Sequence, residues 1–116
     1  MRIDKLTTPF QQALADAQSA AVTRDNPYIE PAHLLAAMLA QPDGPKALLD
    51  RAGANTAALA TAMETAMRGL PQTQGGGQPV QPGRDLVTLL QAAEKEATKR
   101  SDPFIASETF LLALAD

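Results

Sequence analysis

The hexapeptide Arg24-Asp25-Asn26-Pro27-Tyr28-Ile29 returns as Arg100-Ser101-Asp102-Pro103-Phe104-Ile105, and 103 − 27 fixes the offset at 76 residues. Whatever conformation the first copy adopts, the second can adopt too, so the chain folds as a doubled unit. Before each copy runs a long amphipathic segment, and after each begins a short apolar one. The unit therefore reads helix, tight corner, helix. The same offset superposes the flanking faces: Phe10 falls on Leu86, Ala13 on Leu89, Leu14 on Leu90, Ala17 on Ala93 and Ala21 on Ala97, the i, i+3, i+4, i+7 stripe of one buried helix face. Beyond the corner, Leu34, Leu35 and Met38 fall on Phe110, Leu111 and Leu114. Two units are too few for a solenoid. The expected fold is all-α, a single domain of two helical repeats related by a pseudo-twofold axis.

Local signals place the elements. Thr8-Pro9-Phe10-Gln11 opens a first helix, with Thr8 as cap, Gln11 answering it and Pro9 where no N–H is needed. It runs to about Thr23, where Asp25-Asn26-Pro27 ends it. Glu30-Pro31 starts a second helix, which carries His33, Leu34, Leu35, Met38 and Leu39 to Gln41-Pro42. A third spans Lys46 to Ala52, with Gly53 as a left-handed C-terminal cap. Asn55 caps a fourth, whose Leu59, Met63, Met67 and Leu70 keep an apolar row until Pro71. These inserted helices, over about 45–70, have no later counterpart. Residues 71–83, with Gly75-Gly76-Gly77 at their centre, read as a flexible surface loop joining the repeats. A fifth helix spans about Arg84 to Arg100, and a sixth is capped by Ser107. Repeat one thus covers about 8–40 and repeat two about 84–116, all within one domain of residues 1–116. Residues 1–7 form an arm whose Ile3 and Leu6 tuck against the body. The apolar helix that stops at Asp116 suggests a boundary inside a longer protein.

Composition removes several functions. A net charge of −3 argues against nucleic acid, which needs a concentrated basic face; the cluster Lys95, Lys99 and Arg100 is interrupted by Glu94 and Glu96. No apolar run approaches the roughly 20 residues that span a bilayer, and the N-terminus lacks the apolar core of a signal peptide. With no cysteine, disulfides and thiolate metal sites are excluded, in keeping with a cytoplasmic protein. No nucleophile with a base, carboxylate pair or metal-ligand spacing is evident, so catalytic residues, metal and cofactor are all expected to be absent from this segment. Gly44-Pro45-Lys46-Ala47 is no phosphate loop. His33 is the sole histidine, and repeat two has Thr109 in its place. It reads as a first-turn residue bonding a nearby loop or backbone group. A DNA-reading helix is excluded by the starts Pro31-Ala32-His33 and Glu108-Thr109-Phe110, which lack base-reading side chains.

A surface for other proteins remains. Phe10, Tyr28, Phe104 and Phe110 are all the aromatic residues, and two readings are open. In one, all are core. In the other, apolar side chains of the two repeats line a shallow, polar-rimmed groove at the pseudo-twofold that accepts exposed apolar segments of other proteins. Its candidates are Leu6, Phe10, Leu86, Leu90, Phe104 and Phe110.

The segments Met1 to Thr7, Phe10 to Ser19 and Ile29-Glu30-Pro31-Ala32-His33-Leu34-Leu35 closely resemble the N-terminal domain of the ClpB disaggregases, within the Clp AAA+ ATPase family. The resemblance extends over the whole chain, including Leu70-Pro71-Gln72, Val80-Gln81-Pro82 and Phe104-Ile105-Ala106-Ser107-Glu108. It implies a parent homohexamer that uses ATP and Mg in modules beyond residue 116 to thread polypeptides through a central pore, dissolving heat-induced aggregates with the DnaK system. The N-terminal domain of such a machine is a tethered appendage, expected to be monomeric when isolated, that engages unfolded or aggregated protein without catalysis of its own. The resemblance also implies that Thr7, Asp102 and Glu108 form a patch tied to substrate engagement. Each has a structural alternative: Thr7 in the first helix cap, Asp102 closing the corner, Glu108 at a helix N-terminus. Repeat one has Asn26 and Ala32 where repeat two has Asp102 and Glu108, so only one half carries the acidic pair. The alternative to client binding is a structural or regulatory module that packs on its own ATPase ring or on an adaptor.

Overall fold

Thr7, rather than Thr8, caps the first helix. Its Oγ1 accepts from the Phe10 N–H in a long bond of 3.4 Å, and α1 then runs over Thr8–Thr23 with a proline in its first turn. Gln11 serves the same end by another route, its Nε2 donating to the Leu6 carbonyl at 2.9 Å. The computed structural model describes residues 5–41, 44–73 and 80–115. The expected tuck of Ile3 and the Gly75-Gly76-Gly77 run lie outside the described residues.

The other elements follow in order: β1 (Tyr28–Ile29), α2 (Pro31–Ala40), α3 (Pro45–Arg51), α4 (Thr56–Arg68), β2 (Gln81–Pro82), α5 (Arg84–Lys99) and α6 (Ser107–Ala115). Gly53 takes a φ of +88° after α3, and Asn55 caps α4 by accepting from the Ala58 N–H at 3.0 Å. Ser107 does not cap α6 from outside. It is the first helical residue, and the preceding Ala106 carbonyl accepts from the Phe110 N–H.

The two corners are built alike. Asp25 and Ser101, 76 residues apart, both take left-handed backbone, with φ of 58° and 59°. The amide after each reaches back across the last helical turn, Asn26 to the Ala21 carbonyl and Asp102 to the Ala97 carbonyl, both at 2.9 Å. This closure satisfies carbonyls that the helix end leaves open. Short polar side chains tolerate the left-handed region that bulkier ones avoid.

Each repeat's lead-in pairs with the other repeat's corner. Thr7 N–H donates to the Ile105 carbonyl at 3.0 Å, and at the matching positions Gly83 N–H donates to the Ile29 carbonyl at 2.9 Å. Ile105 N–H in turn donates to the Lys5 carbonyl at 2.7 Å, while β1 and β2 run parallel with Tyr28 opposite Gln81 and Ile29 opposite Pro82. The joining segment is therefore not loose at its ends. After α4 it is bonded to the first corner: Thr73 N–H and Gln72 Nε2 donate to the Asp25 and Arg24 carbonyls, and Asn26 Nδ2 donates to that of Pro71.

Phe10 from repeat one and Phe110 from repeat two meet in the core, ring centroids 5.7 Å apart and tilted by 50°, within the spacing at which aromatic pairs attract. Small Ala13, Ala17, Ala21, Ala93 and Ala97 are also buried, and they let the helices approach closely. Helix α4 packs on α2, with the half-buried Leu59 and Met63 against the core. Beneath α4, Met38 is sealed from solvent; its counterpart Leu114 stands next to the last described residue.

Candidate binding surface

A groove of about 490 Å3 opens between α1 and α5. Helical spacing puts Gln11, Leu14, Ala15 and Gln18 on one wall; Leu86, Val87, Leu90 and Gln91 come from the other. Leu6 and Ile29 close the floor, with Val80 and Pro82 beside them. Four of the lining pairs are 76 residues apart: Leu6 with Pro82, Gln11 with Val87, Leu14 with Leu90, and Ala15 with Gln91. The groove thus straddles the pseudo-twofold. Among the described residues no charged side chain lines it; the exposed Gln18 and Gln91 form the polar margin.

A second concavity, of about 310 Å3, gathers Thr7, Asp102 and Glu108 together with Phe104 and Leu112. Lead-in pairing puts Thr7 beside the second corner, and the corner itself delivers Asp102. Both carboxylates are exposed, and among the described residues neither has an ion-pair or side-chain hydrogen-bond partner. Asp102 does not close its corner through its side chain; its backbone amide does that. Asn26, its counterpart, is 3% exposed and bonded to Pro71, because α4 and the segment after it cover the first corner. The Arg100 guanidinium on the rim is turned along its helix to Glu96 at 2.9 Å.

The six apolar candidates therefore divide. Leu6, Leu86 and Leu90 form the base of the α1/α5 groove, nearly closed to solvent. Phe10 and Phe110 line no groove: both are sealed in the core, where the largest rings gain most from leaving water. Phe104, 53% exposed, belongs to the acidic concavity.

His33 underlies the groove floor and is 1% exposed. Its Nδ1 accepts from the Glu30 N–H at 2.8 Å, and its Nε2 lies 2.8 Å from Asn26 Oδ1. Since Nδ1 is an acceptor and Asn26 Nδ2 already donates to Pro71, Nε2 carries the proton and donates to Oδ1. Burial holds the imidazole below its ordinary pKa, and the nearby Arg24 guanidinium acts in the same direction. Arg24 is itself bonded to Glu64 of α4 at 2.6 Å. Among the described residues no cluster of His, Asp and Glu could hold a metal ion, and no helix is long and apolar enough to cross a membrane.

Comparison with known proteins matches residues 5–116 to the Clp repeat N-terminal domain. The chain belongs to the Clp repeat N-terminal domain family. A curated relative of this Clp repeat domain, the chaperone protein ClpB of Pseudomonas putida, is 43% identical over 117 residues, covering 100% of this chain but 14% of its own length. The chain thus spans about one seventh of that relative. Among solved structures, the N-terminal domain of the ClpV1 ATPase from Escherichia coli superposes with a TM-score of 0.88 at 26% identity, over 96% of this chain and 68% of that one. The Hsp104 N-terminal domain from Candida albicans gives 0.85 at 22%, over 95% and 73%.

Within this Clp repeat domain, sequence reasoning missed Leu14, Ile29, Val80 and Val87 as groove residues. Leu14 was within reach, since the repeat offset maps it onto Leu90. Val80 carried no signal, because only the tertiary pairing of β2 with β1 brings it to the groove.

Proposed function

We propose that this chain is the client-engaging N-terminal domain of an ATP-driven protein disaggregase of the ClpB type. It binds exposed apolar segments of unfolded or aggregated polypeptides in the α1/α5 groove and passes them to an AAA+ pore, with no catalysis of its own. The observation that carries the reading is the uncharged, apolar groove straddling the pseudo-twofold. A pocket lined this way accepts leucine- and phenylalanine-rich segments and excludes charge, which would lose its hydration there. Thr7, Asp102 and Glu108, with Phe104 beside them, form a second contact for the same client. The parent is a cytoplasmic homohexamer that carries ATP and Mg in its own modules and works with the DnaK system.

Binding by a single domain is weak. Burying about 300 Å2 of apolar surface yields roughly 7 kcal/mol, most of it offset by the cost of association. Affinities of roughly 10 μM to 1 mM follow, raised by avidity across a ring. Such release suits a domain that hands its cargo on.

The test is a titration of the domain with an apolar-rich unfolded polypeptide, followed by backbone amide shifts. Shifts gather on Leu14, Ala15, Val87 and Gln91, and Val87→Glu weakens binding by about tenfold, which is about 1.4 kcal/mol, without loss of fold. Asp102→Ala and Glu108→Ala weaken client engagement at nearly unchanged melting temperature. Thr7→Ala also removes the α1 cap, at about 1 kcal/mol, so Thr7→Ser is the cleaner variant. An absence of shifts at millimolar ligand would return the domain to packing on its own ring or on an adaptor.

A further inference from the structure

Residues 26–30 hold the groove's floor strand, and both ends of this segment are fastened to one side chain. His33 Nε2 bonds Asn26 Oδ1 and His33 Nδ1 bonds the Glu30 amide, each at 2.8 Å. Between these anchors lies β1, whose Ile29 lines the groove and lies opposite Pro82, another lining residue. The Glu30 carboxylate, just past β1, lies against Gly83 at the start of α5. From one imidazole the contacts therefore run to both sides of the groove.

We propose that neutral His33 is the positioning residue for the groove floor, and that its protonation loosens β1 and weakens apolar binding. A proton on Nδ1 turns that nitrogen into a donor facing the Glu30 amide, which is a donor already. The bond that holds the end of β1, which is also the one the imidazole supplies to the N-terminus of α2, is then lost. Among the described residues no carboxylate bonds the ring to offset the new charge. Arg24, at the end of α1, adds to it; Glu64 of α4 is shared by Arg24 and Arg68; Asp25 is exposed at the corner; and the Glu30 carboxylate is engaged by the His33 backbone N–H in the capping box of α2 and lies against Gly83. Burial and Arg24 hold the ring neutral near pH 7. The proposal concerns regulation of the groove, and so rests on the groove being the client site.

The test uses the labelled domain and, as probe, a leucine- and phenylalanine-rich peptide blocked at both ends and free of titratable groups, so that any pH dependence belongs to the protein. Between about pH 8 and about pH 5, imidazole nitrogen shifts read the tautomer and the titration, and amide shifts read the floor. The expected result is a proton on Nε2 at high pH, with the amides of Asn26, Ile29, Glu30 and Gly83 moving together as the ring titrates. Probe affinity falls by about fivefold over the same range, at the low end of ordinary coupling between sites. His33→Gln, whose amide offers both an acceptor and a donor, keeps binding and flattens its pH dependence. A proton on Nδ1, a titration that leaves Ile29 and Gly83 unmoved, or wild-type pH dependence in His33→Gln overturns the proposal. Should the variant fail to fold, the wild-type titration decides. No probe binding at pH 8 sinks the client reading alone, since tautomer and floor amides are read without ligand.

Discussion

Gly83 is a single residue with two neighbours that set its identity. It caps α5 without a side chain, and a Cβ there would run into the Glu30 carboxylate and come within 3.3 Å of the Ile29 carbonyl. The carboxylate sits at the N-terminus of α2 and stabilises it, so it cannot swing away without cost. Gly83→Ala is expected to destabilise by about 1 kcal/mol, and Glu30→Ala in the same chain to recover part of that loss, read as a non-additive double-mutant cycle in urea unfolding. His33 gives the second residue-scale prediction. Its pKa is lowered in the folded state, from an unfolded value of 6.5, so the unfolded chain binds more protons just below that value. Stability therefore falls as pH drops through 6.5, by about 1.4 kcal/mol for each unit of depression. His33→Gln removes this component, and urea midpoints measured along a pH series check it. The sequence read His33 as a first-turn residue bonding a nearby loop or backbone group, and it bonds both the Glu30 amide and Asn26 of the corner; its near-complete burial comes from β1 and the corner folding under α2, which no local pattern encodes.

Helices α2 and α6 compare one element in two settings. Met38 and Leu114 occupy matching positions, yet α4 covers only the first. Met38→Ala is expected to cost about 2–5 kcal/mol, checked by thermal or urea unfolding of the variant. The α4 row of Leu59, Met63 and Met67 was legible because a helical stripe and an asparagine cap coincide there; Leu70, read as its last member, falls beyond the helix end at Arg68. The two-residue strands were not: periodicity needs length, and Pro82 reads locally as a loop residue. For the same reason the cap of α1 was read one position late. Thr7 and Thr8 offer the same hydroxyl, and only the pairing of Thr7 with Ile105 extends the backbone there. Phe10 and Phe110 were open between core and groove on sequence alone, since a helical stripe marks a buried face without saying which of its members lie at a crossing.

At the scale of the molecule, 76-residue periodicity carried the architecture: two corners with matching left-handed residues and a groove lined by offset-related pairs. What it did not carry is the exchange of lead-ins between the halves. That exchange, with the ring pair of Phe10 and Phe110, puts contacts of both repeats into one core. Unfolding in urea is therefore expected to be a single transition, with helix circular dichroism and Tyr28 fluorescence coincident; separate midpoints for the two probes would show the repeats to be independent. A half-chain on its own holds a donor in its lead-in and an acceptor in its corner that pair with the other half and not with each other. Two identical halves brought together by rotation would satisfy both, so the architecture is that of a symmetric dimer whose partners now share a single polypeptide.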